Sequence, residues 1–190
     1  MPVGRNQWRL VGLTVLAFIS CALTVLAANP ADFTVKSATD DSTFQLSKHR
    51  GEFVALHFLL KTECPYCLKY THAYSVLSEN EPGVTHLFLK PDSESEIKAW
   101  AGKLSKAELK ELPRIYRDPE AKLADQFKVP KGYKFHGQTV HYPALVVLDG
   151  EGKELFRHVG KNNSDRMAVK DYVAKLAETQ GKSSKATTPK

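Results

Sequence analysis

The chain has 190 residues, of which 42% are hydrophobic and 25% charged, with a formal net charge of +6 and three cysteines. This composition is that of a globular protein and argues against a disordered, collagen-like or multi-span membrane protein. The length allows one ordinary domain with extensions. Because no dense block of lysine and arginine stands out, the charge indicates a solvated basic surface and no nucleic-acid partner.

The chain begins with an apolar leader. Arg5 and Arg9 precede an uncharged stretch over residues 10–28. This pattern predicts that residues 1–28 are a secretory signal peptide or a single N-terminal membrane anchor. Cys21 lies in a loosely lipoprotein-like context, and we interpret it as a small apolar residue of the leader. In each case the rest of the chain is exported to a periplasmic or extracytoplasmic space, either soluble after cleavage or anchored by residues 10–28.

The exported part alternates between strand and helix patterns, which predicts one α/β domain over residues 29–178. Apolar and polar residues alternate at 33–35 and 44–46, as in a small β-hairpin. The near-continuous apolar run 53–60 is typical of a central strand buried on both faces. Further strands are predicted at 84–89, 114–117, 144–148 and 154–159, helices at 65–79, 93–104, 120–127 and 164–177, and a loop or hairpin at 128–141.

Two segments read Ser-x-x-Glu ahead of apolar residues, the capping-box pattern of a helix start. One is Ser93 to Glu96, and Ser105 to Glu108 repeats it. Residues 179–190 are rich in Gly, Ser, Thr, Lys and Pro, which predicts a disordered tail.

The motif that carries chemistry is Cys64-Pro65-Tyr66-Cys67, where a buried strand gives way to a helix. On the first turn of a helix, two such thiols can close into a small, reducible disulfide. The free N–H groups and the positive end of the helix dipole favour the thiolate of the first, more exposed cysteine. We therefore predict that Cys64 is the nucleophile and Cys67 the resolving thiol. Pro65, which suits a first helical position, and Tyr66 are supporting residues.

Three other roles for the pair are less favoured. A structural disulfide closing so short a loop would stabilise the fold by only about 2 kcal/mol. A zinc site needs about four ligands, and the sequence has no second cysteine pair or paired histidine cluster. Two inert thiols are unusual in an oxidising compartment. We expect no cofactor and no bound metal.

With this motif the chain resembles the thioredoxin-like superfamily, specifically the redoxin branch of exported TlpA-type thiol-disulfide oxidoreductases and AhpC/TSA-type peroxiredoxins. The matching segments are the strand 53–60, the CPYC motif, Tyr142-Pro143-Ala144, the turn around Asp149-Gly150, and Val159-Gly160. The resemblance implies a thioredoxin-like fold: a central mixed β-sheet flanked by helices, with an N-terminal β-hairpin and an insert over 130–142.

The resemblance also implies two substrate-binding residues. Pro143 would be a cis-proline that faces the cysteines. It would expose the backbone of Tyr142 for pairing with an extended segment of the substrate.

The chain departs from both relatives at the residues before the motif. Thioredoxins have a buried acid six residues before the first cysteine, where this chain has Phe58, so a base for Cys67 is missing or comes from elsewhere. Peroxiredoxins have proline and threonine seven and three residues before it, where this chain has His57 and Lys61. We expect His57 to be a satisfied core histidine on the face opposite Phe58.

The sequence therefore predicts an oxidoreductase that exchanges dithiol and disulfide with protein substrates and an unidentified electron donor or acceptor. One alternative is a peroxiredoxin-like antioxidant enzyme, which the peroxiredoxin-like segment Arg117-Asp118-Pro119 suggests. A second alternative is a metal chaperone or binding module that uses Cys64, Cys67 and His141.

Overall fold

The computed structural model describes Met1 and residues 32–61 and 64–186, with side chains to residue 180. Apart from Met1, the predicted leader with Cys21 lies outside the described residues. Within the described ranges, none of the helices combines the length and the apolar character that crossing a bilayer requires.

The described residues form nine strands and four α-helices. The strands are β1 (Thr34–Lys36), β2 (Thr43–Gln45), β3 (Phe53–Phe58), β4 (Val84–Lys90), β5 (Ile115–Arg117), β6 (Lys131–Phe135), β7 (Gln138–His141), β8 (Ala144–Leu148) and β9 (Glu154–Val159). The helices are α1 (Pro65–Ser78), α2 (Glu94–Ala101), α3 (Lys122–Gln126) and α4 (Val169–Ala186), and short 3-10 turns cover Leu46–His49 and Pro119–Ala121.

A mixed five-stranded sheet in the order β5-β4-β3-β8-β9 forms the centre of the described fold. The strand β3 runs parallel to β4 and antiparallel to β8, and all but its first residue are buried. The strands β1 and β2 form a separate antiparallel hairpin, as do β6 and β7 in the predicted insert. The predicted thioredoxin-like architecture is therefore confirmed.

The sheet separates two apolar clusters, because successive side chains of a strand point to opposite faces. Val54, Leu56 and Phe58 pack on one face with the β1–β2 hairpin and α3. The cysteine pair packs on the other face with α1, α2 and α4. His57 points to this second face, where it contacts α1. Phe58 therefore faces away from the cysteines, and the core histidine lies on their side of the sheet.

The prediction of a cis peptide bond before Pro143 is wrong. Between the described residues no peptide bond is cis, so the bond from Tyr142 to Pro143 is trans. The trans form is favoured by about 0.5–1 kcal/mol before proline unless a tight turn requires cis. No tight turn forms here, because the hairpin leads directly into β8. The Tyr142 N–H donates to the Pro130 carbonyl at 2.8 Å, and the Pro143 carbonyl accepts from Gly160 N–H at 2.8 Å.

The second capping-box pattern does not start a helix. The Ser105 hydroxyl accepts from Ala107 N–H at 3.0 Å, which closes a short turn. Glu108 then takes a left-handed backbone conformation, with φ of 63°. Pro113 follows and disfavours helical backbone at the residue before it. At Ser93, in contrast, both hydrogen bonds of the box are present and α2 begins.

The last helix is shifted towards the C-terminus relative to the prediction. Residues 164–168 are not helical, because the Asn162 side chain accepts from the N–H groups of Ser164 and Asp165 and holds a turn. The helix continues to Ala186, so it occupies much of the predicted disordered tail 179–190. A single glycine inside a helix costs only about 1 kcal/mol, and Gly181 does not end it. Residues 187–190 lie outside the described residues.

Candidate active site

The CPYC motif lies at the start of α1, as the sequence predicts. Cys64 is the cap residue and Pro65 the first helical residue. The Cys64 N–H donates to the Lys61 carbonyl at 3.1 Å, and Cys67 N–H donates to the Cys64 carbonyl at 3.3 Å. Both cysteines are free thiols in this structure, which therefore represents the reduced pair.

Both sulfurs are covered, which corrects the expectation that the first thiol is exposed. Cys64 is 1% exposed and Cys67 is 0% exposed. The cover includes Arg166, whose Nη2 lies 3.7 Å from Cys64 Sγ and 3.3 Å from Cys67 Sγ. Its Nε donates to the Asn163 carbonyl at 3.2 Å. One guanidinium therefore lies against both sulfurs.

The two thiols differ in acidity. The hydrogen bond from Cys67 and the positive charge of Arg166 lower the pKa of Cys64 to about 6, against the opposing effect of burial. Burial, followed by the hydrogen bond to Cys64, raises the pKa of Cys67 well above its usual value. At neutral pH the pair is therefore a Cys64 thiolate that accepts a hydrogen bond from a Cys67 thiol.

A buried lysine lies beside the pair, and sequence reasoning missed it. Lys90 is 0% exposed at the end of β4, and its Nζ donates to the Leu60 carbonyl at 2.5 Å. Asp92 lies 3.5 Å away, and the Trp100 ring centre lies 4.5 Å away. Burial lowers the pKa of Lys90, while the neighbouring Cys67 opposes that effect. The sequence signal was a lysine that ends an apolar strand.

The predicted substrate backbone at Tyr142 is occupied in this structure. Its N–H donates to the Pro130 carbonyl, and its carbonyl accepts from His141 Nδ1 at 2.7 Å. The N–H would have to give up its partner before it paired with a substrate strand, whereas the carbonyl can accept a second hydrogen bond. The β6–β7 hairpin instead reaches the loop before the motif, where Lys61 Nζ donates to Gln138 Oε1 at 2.7 Å. That contact borders a cavity of about 440 Å³.

A second concave surface follows the exposed side of the motif. Tyr66 is 47% exposed and lines a groove of about 350 Å³. Tyr70, Arg166 and Met167 line the same groove. The groove is therefore bordered by the same guanidinium that covers the sulfurs.

The ligands of the metal-binding alternative are not brought together. His141 is 4% exposed and uses Nδ1 for the Tyr142 carbonyl. In the part of the chain that the structure describes, no three His, Cys, Asp or Glu side chains form a group able to hold a metal ion.

The chain also matches a known family. The sequence model of the AhpC/TSA family matches residues 27–153, which is more than half of the chain. The chain belongs to the AhpC/TSA family. Membership of this family, together with the two neighbouring free thiols, identifies the protein as an oxidoreductase acting on sulfur groups. No curated protein matches the chain.

Solved structures similar to this one include disulfide oxidoreductases and peroxiredoxins. A secreted disulfide oxidoreductase of Mycobacterium tuberculosis is 16% identical, with a TM-score of 0.56, and the match covers 77% of this chain and 95% of that one. The exposed lipoprotein thioredoxin of Streptococcus pneumoniae is 24% identical, with a TM-score of 0.59, and 78% and 99% are covered. A yeast mitochondrial 1-Cys peroxiredoxin is 12% identical, with a TM-score of 0.71, and 85% and 79% are covered. At these identities the similarity establishes the shared fold.

Proposed function

We propose that the protein is an exported thiol-disulfide oxidoreductase that exchanges dithiol and disulfide with protein substrates. The observation that carries the proposal is the unequal pair of thiols beneath one guanidinium. Cys64, with its pKa lowered to about 6, suits the attacking role, and Cys67, which stays protonated, suits the resolving role.

The exchange follows from this asymmetry. When a substrate disulfide is reduced, the Cys64 thiolate attacks one sulfur, the substrate S–S bond breaks, and the departing thiolate takes up a proton. Cys67 then loses its proton and attacks Cys64 Sγ, which releases the second substrate thiol and leaves a Cys64–Cys67 disulfide. A dithiol donor restores the pair by supplying two electrons and two protons. Oxidation of a substrate dithiol is the same sequence reversed.

Export is supported by the apolar leader and by the nature of similar proteins. Arg5 and Arg9 precede the uncharged stretch that would direct the chain to the membrane. The similar proteins include a secreted disulfide oxidoreductase and an exposed lipoprotein thioredoxin. A fusion of residues 1–31 to a reporter active only outside the cytoplasm tests this part. Reporter activity supports export, and its loss when the apolar stretch is deleted is the matched control.

Insulin reduction tests the exchange activity. The reduced protein should precipitate insulin chains in the presence of a dithiol, and Cys64→Ser should abolish the effect. Cys67→Ser should instead trap a covalent complex with substrate, because the mixed disulfide forms but is not resolved. Equal insulin reduction by the wild type and Cys64→Ser would contradict the proposal.

A second candidate function is peroxide reduction. It is favoured by the AhpC/TSA match and by the Arg166 hydrogen bond to Cys64. The Cys64 thiolate would attack one peroxide oxygen and form a sulfenic acid while the alcohol or water leaves. Cys67 would then form the disulfide and release water. Saturable, Cys64-dependent peroxide consumption supports this candidate, and a rate no faster than that of free dithiol rejects it.

A further inference from the structure

A chain of buried polar side chains runs from Tyr70, which lies one turn after Cys67 on α1, to the protein surface. Tyr70 OH lies 2.9 Å from His57 Nδ1, and His57 Nε2 lies 2.9 Å from His86 Nδ1. His86 Nε2 lies 3.1 Å from Glu81 Oε2, and the Glu81 side chain is 16% exposed. We call these four residues the buried relay: Tyr70, His57, His86 and Glu81.

The direction of each proton in the buried relay follows from its outer end. A carboxylate can only accept, so His86 Nε2–H donates to Glu81. In the neutral form of the His86 ring, Nδ1 is then an acceptor, and it takes the proton of His57 Nε2–H. The His57 Nδ1 is an acceptor in turn, and it takes the proton of the Tyr70 hydroxyl. In this form every donor points outwards, and both rings carry their proton on Nε2.

The inner end of the buried relay lies beside Cys67. Tyr70 follows Cys67 by one turn on the buried side of α1, and side chains at this spacing are neighbours. The Arg166 guanidinium, 3.3 Å from Cys67 Sγ, also lies 5.6 Å from the centre of the Tyr70 ring. Burial above all raises the pKa of Tyr70, the neighbouring Tyr74 raises it further, and Cys67 adds a smaller effect of the same sign. Because its proton is directed to His57, the Tyr70 oxygen keeps its lone pairs for another donor.

The exchange reaction requires a route by which the Cys67 proton can leave, and the buried relay can provide one. In the reduced pair, the Cys67 proton is shared with the Cys64 thiolate, but in the mixed disulfide Cys64 is bonded to substrate and carries no charge. The Cys67 proton must then leave a fully buried site. Phe58, at the position of the thioredoxin acid, points to the other face of the sheet.

We propose that the buried relay carries the proton of Cys67 to solvent when Cys67 attacks the mixed disulfide, which rests on the function proposed above. The thiol proton passes to the Tyr70 oxygen while the hydroxyl proton passes to His57. Each ring passes on its own Nε2 proton, and the Glu81 carboxylate takes up the last one and exchanges it with water. One proton leaves Cys67, one reaches Glu81, and the resulting thiolate forms the S–S bond. In the opposite direction, the same residues return the proton.

Other polar groups face this path from each packed element. Arg166, from the segment before α4, stays protonated and can only donate. Tyr74, one turn beyond Tyr70, donates to the Met167 carbonyl at 3.0 Å, and Tyr172 of α4 donates to Glu81 at 3.2 Å. On the β8 side, His57 is paired with the apolar Leu145. Lys90 also lies near Cys67, with the Asp92 carboxylate 3.5 Å from its Nζ, and in its neutral form it is the competing proton acceptor.

A rapid-mixing experiment with the coloured aromatic disulfide dithiobis(nitrobenzoate) separates the two thiol steps. The first coloured thiolate is released by Cys64, at a rate proportional to reagent concentration. The second is released by Cys67, at a rate independent of reagent concentration. We expect Tyr70→Phe to leave the first phase unchanged and to slow the second by about tenfold or more near neutral pH. The difference should close in alkaline solution, where hydroxide removes the proton directly.

The matched control is Tyr116→Phe. It removes the hydroxyl of another buried tyrosine, one that belongs to the cluster on the opposite face of the sheet from the cysteines and the buried relay. Its second phase should keep the wild-type rate and pH profile. Glu81→Gln, which removes the outer acceptor, should slow the second phase as Tyr70→Phe does.

The outcomes separate this inference from the proposed function. Absence of a Cys64-dependent first phase would reject the exchange activity itself. A normal first phase with an unchanged second phase in Tyr70→Phe would reject only the relay. A second phase that is slowed by Lys90→Met and not by Tyr70→Phe would also reject it and would assign proton acceptance to the lysine.

Discussion

At the scale of single residues, Arg166 sets the chemistry of the thiol pair. It lies 102 positions from Cys64 and 99 from Cys67 in the chain, yet one of its nitrogens contacts both sulfurs. The guanidinium stays charged at all physiological pH values, so it stabilises a thiolate without accepting the resolving proton. It also covers Cys64, so the same side chain affects both the acidity and the accessibility of this thiol.

Arg166→Gln tests this role. Loss of the positive charge should raise the pKa of Cys64 above about 6, by roughly one unit. The pH dependence of alkylation by iodoacetamide measures the shift. One unit corresponds to about 1.4 kcal/mol, so the disulfide should become about 30 mV more reducing in equilibrium with glutathione. Arg166→Lys is the control that keeps the charge, and equal pKa values in both variants would exclude an electrostatic role.

At the scale of elements, two copies of one sequence pattern have different structures. Ser93 and Glu96 exchange side-chain and backbone hydrogen bonds at the start of α2, where Ile97, Trp100 and Ala101 are buried. The same pattern at Ser105 closes only a short turn. The pattern therefore favours a helix start, and packing of the following apolar residues against the sheet decides whether the helix forms.

The two serines provide a matched pair of variants. Ser93→Ala removes a helix cap and should lower the free energy of unfolding by about 1 kcal/mol. Ser105→Ala removes a hydrogen bond within an exposed turn and should lower it by less than about 0.5 kcal/mol. Urea unfolding of both variants beside the wild type measures the difference. Equal losses would show that the α2 cap contributes no more than the turn.

At the scale of the whole molecule, the sheet places neutral histidines in the interior. His57 lies between α1 and the central strands, and burial lowers its pKa well below the usual value. Burial also lowers the pKa of His141, at the end of the insert hairpin. In the unfolded chain these side chains take up protons below about pH 6.5. The unfolded state then binds more protons than the folded state, so acid favours unfolding.

The free energy of unfolding should therefore fall as the pH drops below about 6.5, by up to about 1.4 kcal/mol per pH unit for each histidine. The loss should continue down to the lowered pKa of each folded-state histidine. Urea unfolding of the oxidised protein measures it, because the disulfide removes the titration of the thiols. His57→Gln should reduce the slope, whereas the exposed His136→Gln should leave it unchanged. An identical slope in all three proteins would contradict this assignment.

Whether a sequence-based prediction agrees with the structure depends on how far apart in the chain the interacting residues lie. The β3 strand, the start of α1 at Pro65 and the cap at Ser93 depend on neighbouring residues, and each was predicted correctly. The cis form of Pro143 and the exposure of Cys64 depend on segments distant in the chain, and both predictions were wrong. The hairpin holds Tyr142 through Pro130, and Arg166 covers the sulfur.

The sequence by itself determined the fold class and the position of the two thiols on the first turn of a helix. These properties follow from local spacing, apolar runs and the helix dipole, which act over a few residues. Only the tertiary structure decided which charges and proton acceptors surround the thiols. Arg166, Lys90, His57, His86 and Glu81 come from separate strands and loops, and the folding of the sheet brings them to the side of α1 that carries the thiols.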